Sequence, residues 1–253
     1  MIRDRYNWIA TKYGNRYWWF HRSGNNYLPA IYKNLSDSQW ELLKEWYEWT
    51  DTNNLAGECN IPAMSQMIGT VDGNNLDKIV QIGHFSGWST LMLGWALQAM
   101  GKKRALVTFD IKHNMTQITR RWVTAAGLDD VVSVLTMSGS SPQAVELAVD
   151  YLTGSPKMIF IDSSHNFQET LDELYLWIPE LLQGGVIFLH DVSIFAQRYD
   201  KTGKRGVHDA VETVEHSLSG IDVISFNRVI EGKESEVKVL QDGCGLGIIQ
   251  KWA

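Results

Sequence analysis

The sequence predicts an α/β fold in which a doubly wound, seven-stranded and mostly parallel sheet is covered by helices on both faces. From Asp77 onward, short apolar runs alternate with amphipathic stretches, which is the pattern of parallel strands buried between helices. With 44% hydrophobic and 21% charged residues, the 253-residue chain can also form a core of the size that this fold requires. A glycine-containing loop directly follows the first apolar run, as is common where such sheets bind ligands.

The strands and helices of this sheet follow from the order of the apolar runs. Strands are predicted at residues 78–82, 105–110, 131–137, 157–162, 186–191, 221–226 and 245–249, and helices at 89–100, 116–126, 142–152, 167–182 and 208–218. Only a polar loop, residues 231–238, separates the last two strands. Strands joined without a helical crossover are expected to be antiparallel neighbours, so the last strand is predicted to run against the others.

An aromatic-rich helical segment precedes the sheet. Six of the eleven tryptophans lie in residues 1–70, namely Trp8, Trp18, Trp19, Trp40, Trp46 and Trp49. A helix is predicted over residues 36–49, where Ser36 or Asp37 can cap it and apolar side chains recur at helical spacing. We therefore predict a cap, residues 1–70, and a doubly wound domain, residues 71–253. The cap could bind a small molecule, form the interface of a homo-oligomer or simply pack on the sheet.

Charge and composition exclude several classes of protein. A net charge of −6 argues against nucleic acid as a partner, because binding phosphates requires concentrated Lys and Arg. No run of 18 apolar residues indicates a membrane span, and no apolar signal sequence begins the chain, so a cytoplasmic protein is expected. Cys59 and Cys244 are expected to be thiols, and no cysteine–histidine spacing indicates a zinc site.

The loop after the first strand contains Gly83 and Gly87 and leads into a helix. Glycines let backbone N–H groups approach a ligand, and a helix N-terminus attracts an anionic group. The Gly-x-x-x-Gly spacing differs from the dinucleotide fingerprint, and no Gly-Lys-Ser/Thr follows it. The second strand ends at Asp110, where a carboxylate can accept hydrogen bonds from ribose hydroxyls. Either feature alone could be structural, but together they predict an adenosine-containing cofactor.

Ionisable residues follow both the fourth and the fifth predicted strand. The fourth ends in Asp162-Ser163-Ser164-His165 and the fifth in His190-Asp191. Ionisable groups at buried strand ends are unfavourable unless they are paired or functional, so this edge is predicted to hold an acid–base or metal site. A helix cap for His165 and a loop contact for His190 are the structural alternatives, and His113 and His208 are predicted to be structural.

These motifs together resemble the class I S-adenosylmethionine-dependent methyltransferases, particularly the macrocin-type and catechol-type small-molecule O-methyltransferases. The resemblance covers about residues 60–250 and includes Asp-Ser-Ser-His, Asp172, Trp177, Leu-Leu-Gln-Gly-Gly and His-Asp-Val. It implies a Rossmann-like domain that methylates a sugar or natural-product acceptor. The cofactor-binding residues that it implies are Gln81, Gly83, His84, Phe85, Ser86, Gly87, Ser89, Asp110, Ile111, Ser138, Gly139 and Asp162.

Methyl transfer to an alcohol also requires removal of the hydroxyl proton, and the candidate catalytic residues at this edge are Asp162, His165, His190 and Asp191. Without a metal, either histidine would be the general base and either aspartate its orienting partner. In catechol-type relatives, acids at these strand ends hold Mg²⁺, so the resemblance implies Asp162 and Asp191 as metal ligands, and His190 is the candidate for a third. Val192 stands where an amide ligand would be expected and cannot coordinate an ion.

Two departures from the family pattern leave other functions open. Gln81 occupies a position that is commonly acidic, and Val192 replaces the amide ligand. Both features favour a non-catalytic binding subunit with an altered site. A cephalosporin-hydroxylase-type enzyme on the same scaffold is a further alternative, because such proteins share the acids at the strand ends.

Overall fold

The structure, a computed structural model, describes residues 2–13, 28–226 and 243–253. In these ranges, the helices before the sheet are α1 (Ile2–Tyr13), α2 (Ala30–Lys33), α3 (Asp37–Thr52) and α4 (Ile61–Gly73). Ser36 caps α3 through a reciprocal capping box with Gln39, which confirms the predicted helix start. Trp18, Trp19 and the predicted polar loop 231–238 lie outside the described residues.

The sheet has the predicted seven strands. They are β1 (Ile79–Ile82), β2 (Leu106–Asp110), β3 (Val132–Thr136), β4 (Met158–Ile161), β5 (Val186–His190), β6 (Ile221–Phe226) and β7 (Leu246–Lys251). The helices between them are α5 (Trp88–Ala99), α6 (His113–Ala125), α7 (Pro142–Leu152), α8 (Phe167–Glu180), a 3₁₀ helix (Ala196–Tyr199) and α9 (Gly206–Ser217). The strand order is β3-β2-β1-β4-β5-β7-β6, and β7 is antiparallel to both neighbours, so the predicted Rossmann-like architecture is confirmed.

The strand register brings the predicted site residues to one edge. Ile82 of β1 pairs with Phe109 of β2 and with Ile161 of β4, and β4 in turn pairs in parallel with β5. Because these strands are parallel, the residues that follow this row all emerge at the same carboxyl edge. From β1 the chain adds β2 and β3 on one side and then β4 and β5 on the other, so the strand order reverses between β1 and β4. Such a switch point forms the crevice where doubly wound sheets bind ligands.

The two faces of the sheet bury separate cores. One face packs α5 and α6 together with the N-terminal helices, and Trp40 and Trp46 of α3 share this core with Ile79 of β1. The other face packs α7, α8 and α9 around Trp177. The N-terminal segment therefore packs on the sheet through a shared core, and the predicted division at residue 70 falls inside α4.

None of the helices in the described ranges combines the length and the apolar character needed to cross a bilayer. Cys59 and Cys244 form no disulfide with each other.

Candidate active site

The glycine loop between β1 and α5 lies directly against the end of β4. Gly83 has φ +87°, and a Cβ atom added there would lie 2.0 Å from the carbonyl oxygen of Asp162. Gly87 has φ +94° and caps α5 without a side chain. Both residues adopt backbone conformations that favour glycine, and at Gly83 the neighbouring strand leaves no room for a side chain. The loop and the end of β4 therefore form one continuous surface.

Gln81 holds the glycine loop from below. Its side chain is fully buried, its Nε2 donates to the Gly83 carbonyl at 3.0 Å and to Ser89 Oγ at 2.7 Å, and Thr90 Oγ1 donates to its Oε1 at 2.9 Å. A carboxylate could not donate to the Gly83 carbonyl, so these contacts explain why an amide suits this position. Any contact between Gln81 and a cofactor would be made in addition to these three bonds.

His84 and Ser86 direct their side chains away from bulk solvent. The His84 ring lies between Thr108 and Thr116, with each ring nitrogen 3.2 Å from a threonine hydroxyl. Burial, aided by the charge of Arg120, lowers the pKa of His84 to about 4 against the opposing charge of Asp110, so the ring is neutral at pH 7. Ser86 is also buried. His84 could therefore contact a cofactor only through its backbone, because its imidazole is buried between the two threonines beneath the loop.

Asp110 joins the glycine loop to the end of β2. Its Oδ2 accepts a hydrogen bond from the Phe85 backbone N–H at 3.0 Å, and its Oδ1 accepts one from the Lys112 N–H at 2.8 Å. An ionised carboxylate has about four lone-pair sites, so Asp110 can accept further hydrogen bonds from a ligand. The neighbouring Ile111 side chain is 69% exposed and offers an apolar surface for a flat ring.

Ser138 and Gly139, in the turn after β3, lie at the same edge. Gly139 is buried, and a Cβ atom there would lie 2.1 Å from the Ile82 side chain at the end of β1. Trp177 Nε1 donates to the Gly139 carbonyl at 2.7 Å, which gives the tryptophan of the sequence motif a structural role. Ser138 Oγ lies 2.8 Å from Ser140 Oγ.

The four predicted catalytic residues come together at the ends of β4 and β5, and we call this group the rim. Asp191 Oδ2 lies 3.0 Å from His165 Nδ1 and 3.2 Å from His190 Nδ1, and Asp162 Oδ1 lies 3.7 Å from His190 Nδ1. The side chains of His190 and Asp191 are only 8% and 6% exposed, whereas that of His165 is 33% exposed. One buried carboxylate thus faces two imidazoles, and His165 is the more accessible of the two.

Electrostatics in the rim keep Asp191 ionised. Burial would raise the pKa of Asp191, but the charges and hydrogen bonds of His190 and His165 hold it well below its usual range. Burial likewise lowers the pKa of His165, but the hydrogen bond to Asp191 and the charges of Asp191 and Asp162 outweigh burial and raise it. A histidine held by a carboxylate in this way suits general acid–base chemistry.

Backbone strain is also concentrated in the rim. His165 and Asp191 both have φ +62°, a left-handed conformation that costs non-glycine residues about 1–2 kcal/mol each. Asp200 stabilises the turn that holds His165, because its carboxylate accepts from the N–H groups of Phe167 at 3.4 Å and Gly206 at 3.0 Å. A Cβ atom on Gly206 would lie 2.7 Å from the His165 carbonyl oxygen, so the two loops are in direct contact.

Sequence reasoning missed Glu173, a buried acid beneath the rim. Ser163 Oγ, next to Asp162, donates to Glu173 Oε2 at 2.8 Å. Burial raises the pKa of Glu173 to about 7, against the opposing effect of this hydrogen bond. Helical spacing could have found it, because Glu173 shares the buried face of α8 with Thr170, Leu174 and Trp177.

The rim offers a poor set of ligands for magnesium. Mg²⁺ requires near-octahedral oxygen coordination, but the rim supplies two carboxylates, of which Asp191 is already paired with two histidines. Val192, buried and aliphatic, adds no donor. The candidate ligand atoms lie close together, however, within 4.8 Å in the set Asp162, His165 and Asp191 and within 4.8 Å in the set Cys59, Asp162 and His190.

A third cluster lies on α9. His208, Asp209 and Glu212 bring possible ligand atoms together, but Arg205 forms ion pairs with both acids. The guanidinium charge opposes a bound cation there, and the buried His208 lies 3.1 Å from Asp209.

Comparison with known proteins places this site in context. Residues 80–192, from the glycine loop to the rim, match the family model described as a methyltransferase domain. A search of curated protein sequences finds no match. Among solved structures, the chain is similar to an O-methyltransferase from Bacillus cereus in complex with S-adenosylhomocysteine, with 18% identity, a TM-score of 0.65 and coverage of 86% of this chain and 92% of that chain.

Two further solved structures share this architecture. A methyltransferase from Podospora anserina, bound to S-adenosylhomocysteine, has 18% identity, a TM-score of 0.63 and coverage of 88% of this chain and 92% of that chain. An O-methyltransferase of tomaymycin synthesis from Streptomyces achromogenes, in complex with S-adenosylmethionine, has 15% identity, a TM-score of 0.61 and coverage of 87% and 92%. At these identities, the likeness shows a common fold.

Proposed function

We propose that this protein, whose residues 80–192 form a methyltransferase domain, transfers a methyl group from S-adenosylmethionine to a hydroxyl group of a small molecule. The observation that carries the proposal is the contact between Gly83 and the Asp162 carbonyl, where an added Cβ atom would lie 2.0 Å from the oxygen. Because of this contact, the glycine loop lies directly beside Asp162 of the rim. Methyl transfer requires the donor carbon, the acceptor oxygen and a base to be held together in a defined geometry.

The cofactor would bind across the glycine loop and the end of β2. Backbone N–H groups of the loop and the N-terminus of α5 suit a carboxylate, and Asp110 suits the ribose hydroxyls. Ile111 and the Ser138–Gly139 turn would border the adenine. When bound, S-adenosylmethionine would supply a sulfonium methyl carbon, to which the acceptor oxygen forms a bond as the carbon–sulfur bond breaks and S-adenosylhomocysteine leaves.

His165 is the best general base for the acceptor. It is the more accessible rim histidine, and its contact with Asp191 at 3.0 Å orients the ring and stabilises the imidazolium that forms. In this proposal, His165 Nε2 takes the hydroxyl proton as the oxygen attacks. Because the rim does not fit magnesium, no step of this mechanism depends on that ion.

The acceptor would lie against the loop after β5. Ile194, Phe195 and Tyr199 expose apolar surface there, and the Tyr199 ring centroid lies 5.8 Å from that of His165. Aromatic faces beside the base suit a ring-containing acceptor, such as a sugar or an aromatic natural product. We also propose that the enzyme is cytoplasmic and has no nucleic-acid partner, in keeping with its composition and its net charge of −6.

Calorimetry with S-adenosylmethionine and S-adenosylhomocysteine tests the cofactor assignment. Replacement of Asp110 by Ala should weaken binding by at least about tenfold, because hydrogen bonds to a charged group each contribute about 1.5–3 kcal/mol. Asp222→Ala, an exposed acid on β6, is the matched control and should bind normally. If the wild type binds neither compound, the proposal is wrong.

Release of S-adenosylhomocysteine over a panel of hydroxyl-bearing acceptors tests the reaction. We expect turnover with at least one ring-containing alcohol or phenol and its loss in His165→Ala. Cofactor binding without transfer to any acceptor would instead identify a binding subunit and overturn the enzymatic part of the proposal.

A further inference from the structure

A side chain from the N-terminal segment reaches the rim. Cys59 lies in the loop between α3 and α4, and its side chain is buried. Its sulfur, a carboxylate oxygen of Asp162 and a ring nitrogen of His190 all lie within 4.8 Å of one another. Three different types of metal-ligating atom, from three distant parts of the sequence, thus converge at one point.

Packing fixes the loop that carries Cys59. A Cβ atom on Gly57 would lie 2.7 Å from the Phe85 ring of the glycine loop, so the two loops are in close contact. On the preceding helix, Trp46 Nε1 donates to the Ser86 carbonyl at 2.8 Å. The thiol is therefore held beside the rim by the same contacts that attach the N-terminal segment to the glycine loop.

The donor atoms of this cluster select a class of metal. Thiolate and imidazole ligands favour zinc and related transition metals, whereas magnesium prefers oxygen ligands and water. A metal-binding histidine usually has a carboxylate on its other ring nitrogen, which fixes the orientation of the ring. Asp191 Oδ2 lies 3.2 Å from His190 Nδ1, so a metal bound through Nε2 would leave this contact in place.

We propose that Cys59, Asp162 and His190 bind a divalent transition-metal ion of the zinc class. Three protein ligands are typical of zinc sites that keep one coordination position for water or substrate. Asp162 also belongs to the set formed by Asp162, His165 and Asp191, so a metal held here would be close to the proposed general base and would make a bound hydroxyl more acidic. Metal binding by these residues does not depend on the proposed methyl transfer.

Cobalt substitution of the metal-stripped full-length protein tests the site directly. Co²⁺ bound by a thiolate gives a sulfur-to-metal charge-transfer absorption in the near ultraviolet, which oxygen and nitrogen ligands do not produce. We expect this absorption in the wild type and in Cys244→Ser, the matched control, but not in Cys59→Ser. Cys59→His should bind Co²⁺ without the absorption, because the imidazole restores the number of ligands.

Calorimetry supplies a second readout. Zn²⁺ should bind the wild type at least about a hundredfold more tightly than Mg²⁺, and Cys59→Ser should weaken Zn²⁺ binding by at least about tenfold. Circular dichroism and thermal unfolding of each variant, without metal, verify that it is folded.

Three results would overturn the site. They are a wild type that does not bind Co²⁺, a bound Co²⁺ that shows no thiolate absorption, and Zn²⁺ affinity that is unchanged in Cys59→Ser. Titration of the same preparations with S-adenosylmethionine keeps this outcome separate from the proposed function. A protein that binds the cofactor but no zinc refutes only the metal site, and the reverse result refutes only the cofactor.

Discussion

The glycine-loop half and the rim half of the candidate site meet at one sheet edge but are stabilised in opposite ways. Around the glycine loop, neutral groups make most of the hydrogen bonds, as in Gln81 with three partners and the uncharged His84 between two threonines, and the Asp110 carboxylate adds one to the Phe85 N–H. The rim instead gathers charge, with one buried carboxylate facing two imidazoles. His165 and Asp191 also carry backbone strain there.

This difference follows from what each half must do. A binding loop benefits from a single, fully hydrogen-bonded conformation, since preorganised N–H groups need no rearrangement when the ligand arrives. Proton transfer requires groups whose charge can change, and such groups must be held close together despite burial. Changes confined to one half should therefore alter either cofactor affinity or turnover, but not both.

The largest expected effect is that of Asp191→Asn on turnover. The amide keeps the shape of the carboxylate but removes the charge that orients His165 and raises its pKa. General base catalysis contributes about 10²–10⁴-fold, so kcat should fall by at least about a hundredfold. Affinity for S-adenosylmethionine should change by less than about twofold, because Asp191 pairs with His165 and His190 and not with the residues that hold the glycine loop.

Asp222→Asn serves as the control for this experiment, because the same chemical change is made on an exposed residue of β6. Steady-state kinetics and calorimetry on both variants provide the comparison. A loss of cofactor affinity in Asp191→Asn as large as its loss of kcat would mean that the two halves act as one unit.

Glu173→Gln should change the pH dependence of stability. Burial raises the pKa of Glu173 to about 7 from an ordinary 4.5, so folding favours the protonated acid. The resulting stability is fully present below pH 4.5 and is lost as pH rises through 7. Such a shift corresponds to about 3 kcal/mol, so the variant should be more stable than the wild type by up to that amount at pH 8, and equally stable at pH 4.5.

Urea unfolding between pH 4.5 and 8 measures this difference. Glutamine can still accept the Ser163 hydrogen bond, and Glu146→Gln, on the exposed face of α7, is the control. Parallel stability curves for Glu173→Gln and the wild type would show that the buried acid is charged throughout this pH range.

Much of this fold was predictable, because each buried strand is a short apolar run and each such run is followed by turn residues. The convergence of Asp110, Asp162 and Asp191 was predictable too, because parallel strands end at a common edge. The predicted helix 116–126 begins earlier, at His113, because Asp110 Oδ1 holds the Lys112 N–H and starts the turn before the apolar periodicity is visible.

Other features of the site depend on contacts that no sequence spacing records. Cys59 lies close to Asp162 and His190 because the N-terminal segment packs against the glycine loop. No cysteine–histidine motif in the sequence predicts this cluster. The left-handed conformations of His165 and Asp191 were equally hidden, since neither residue is glycine. Tertiary contacts impose such conformations against local preference.

The smallest expected effect is that of Trp46→Phe, which tests whether the N-terminal segment supports the binding half alone. Phenylalanine keeps an aromatic ring but removes the indole N–H that donates to the Ser86 carbonyl. One buried hydrogen bond contributes about 1 kcal/mol, so affinity for S-adenosylmethionine should fall by about fivefold with kcat unchanged. Trp49→Phe loses an indole that packs on Trp122 and provides the control. If Trp46→Phe lowers kcat and leaves affinity intact, the N-terminal segment acts through the rim, and the division of labour between the two halves is wrong.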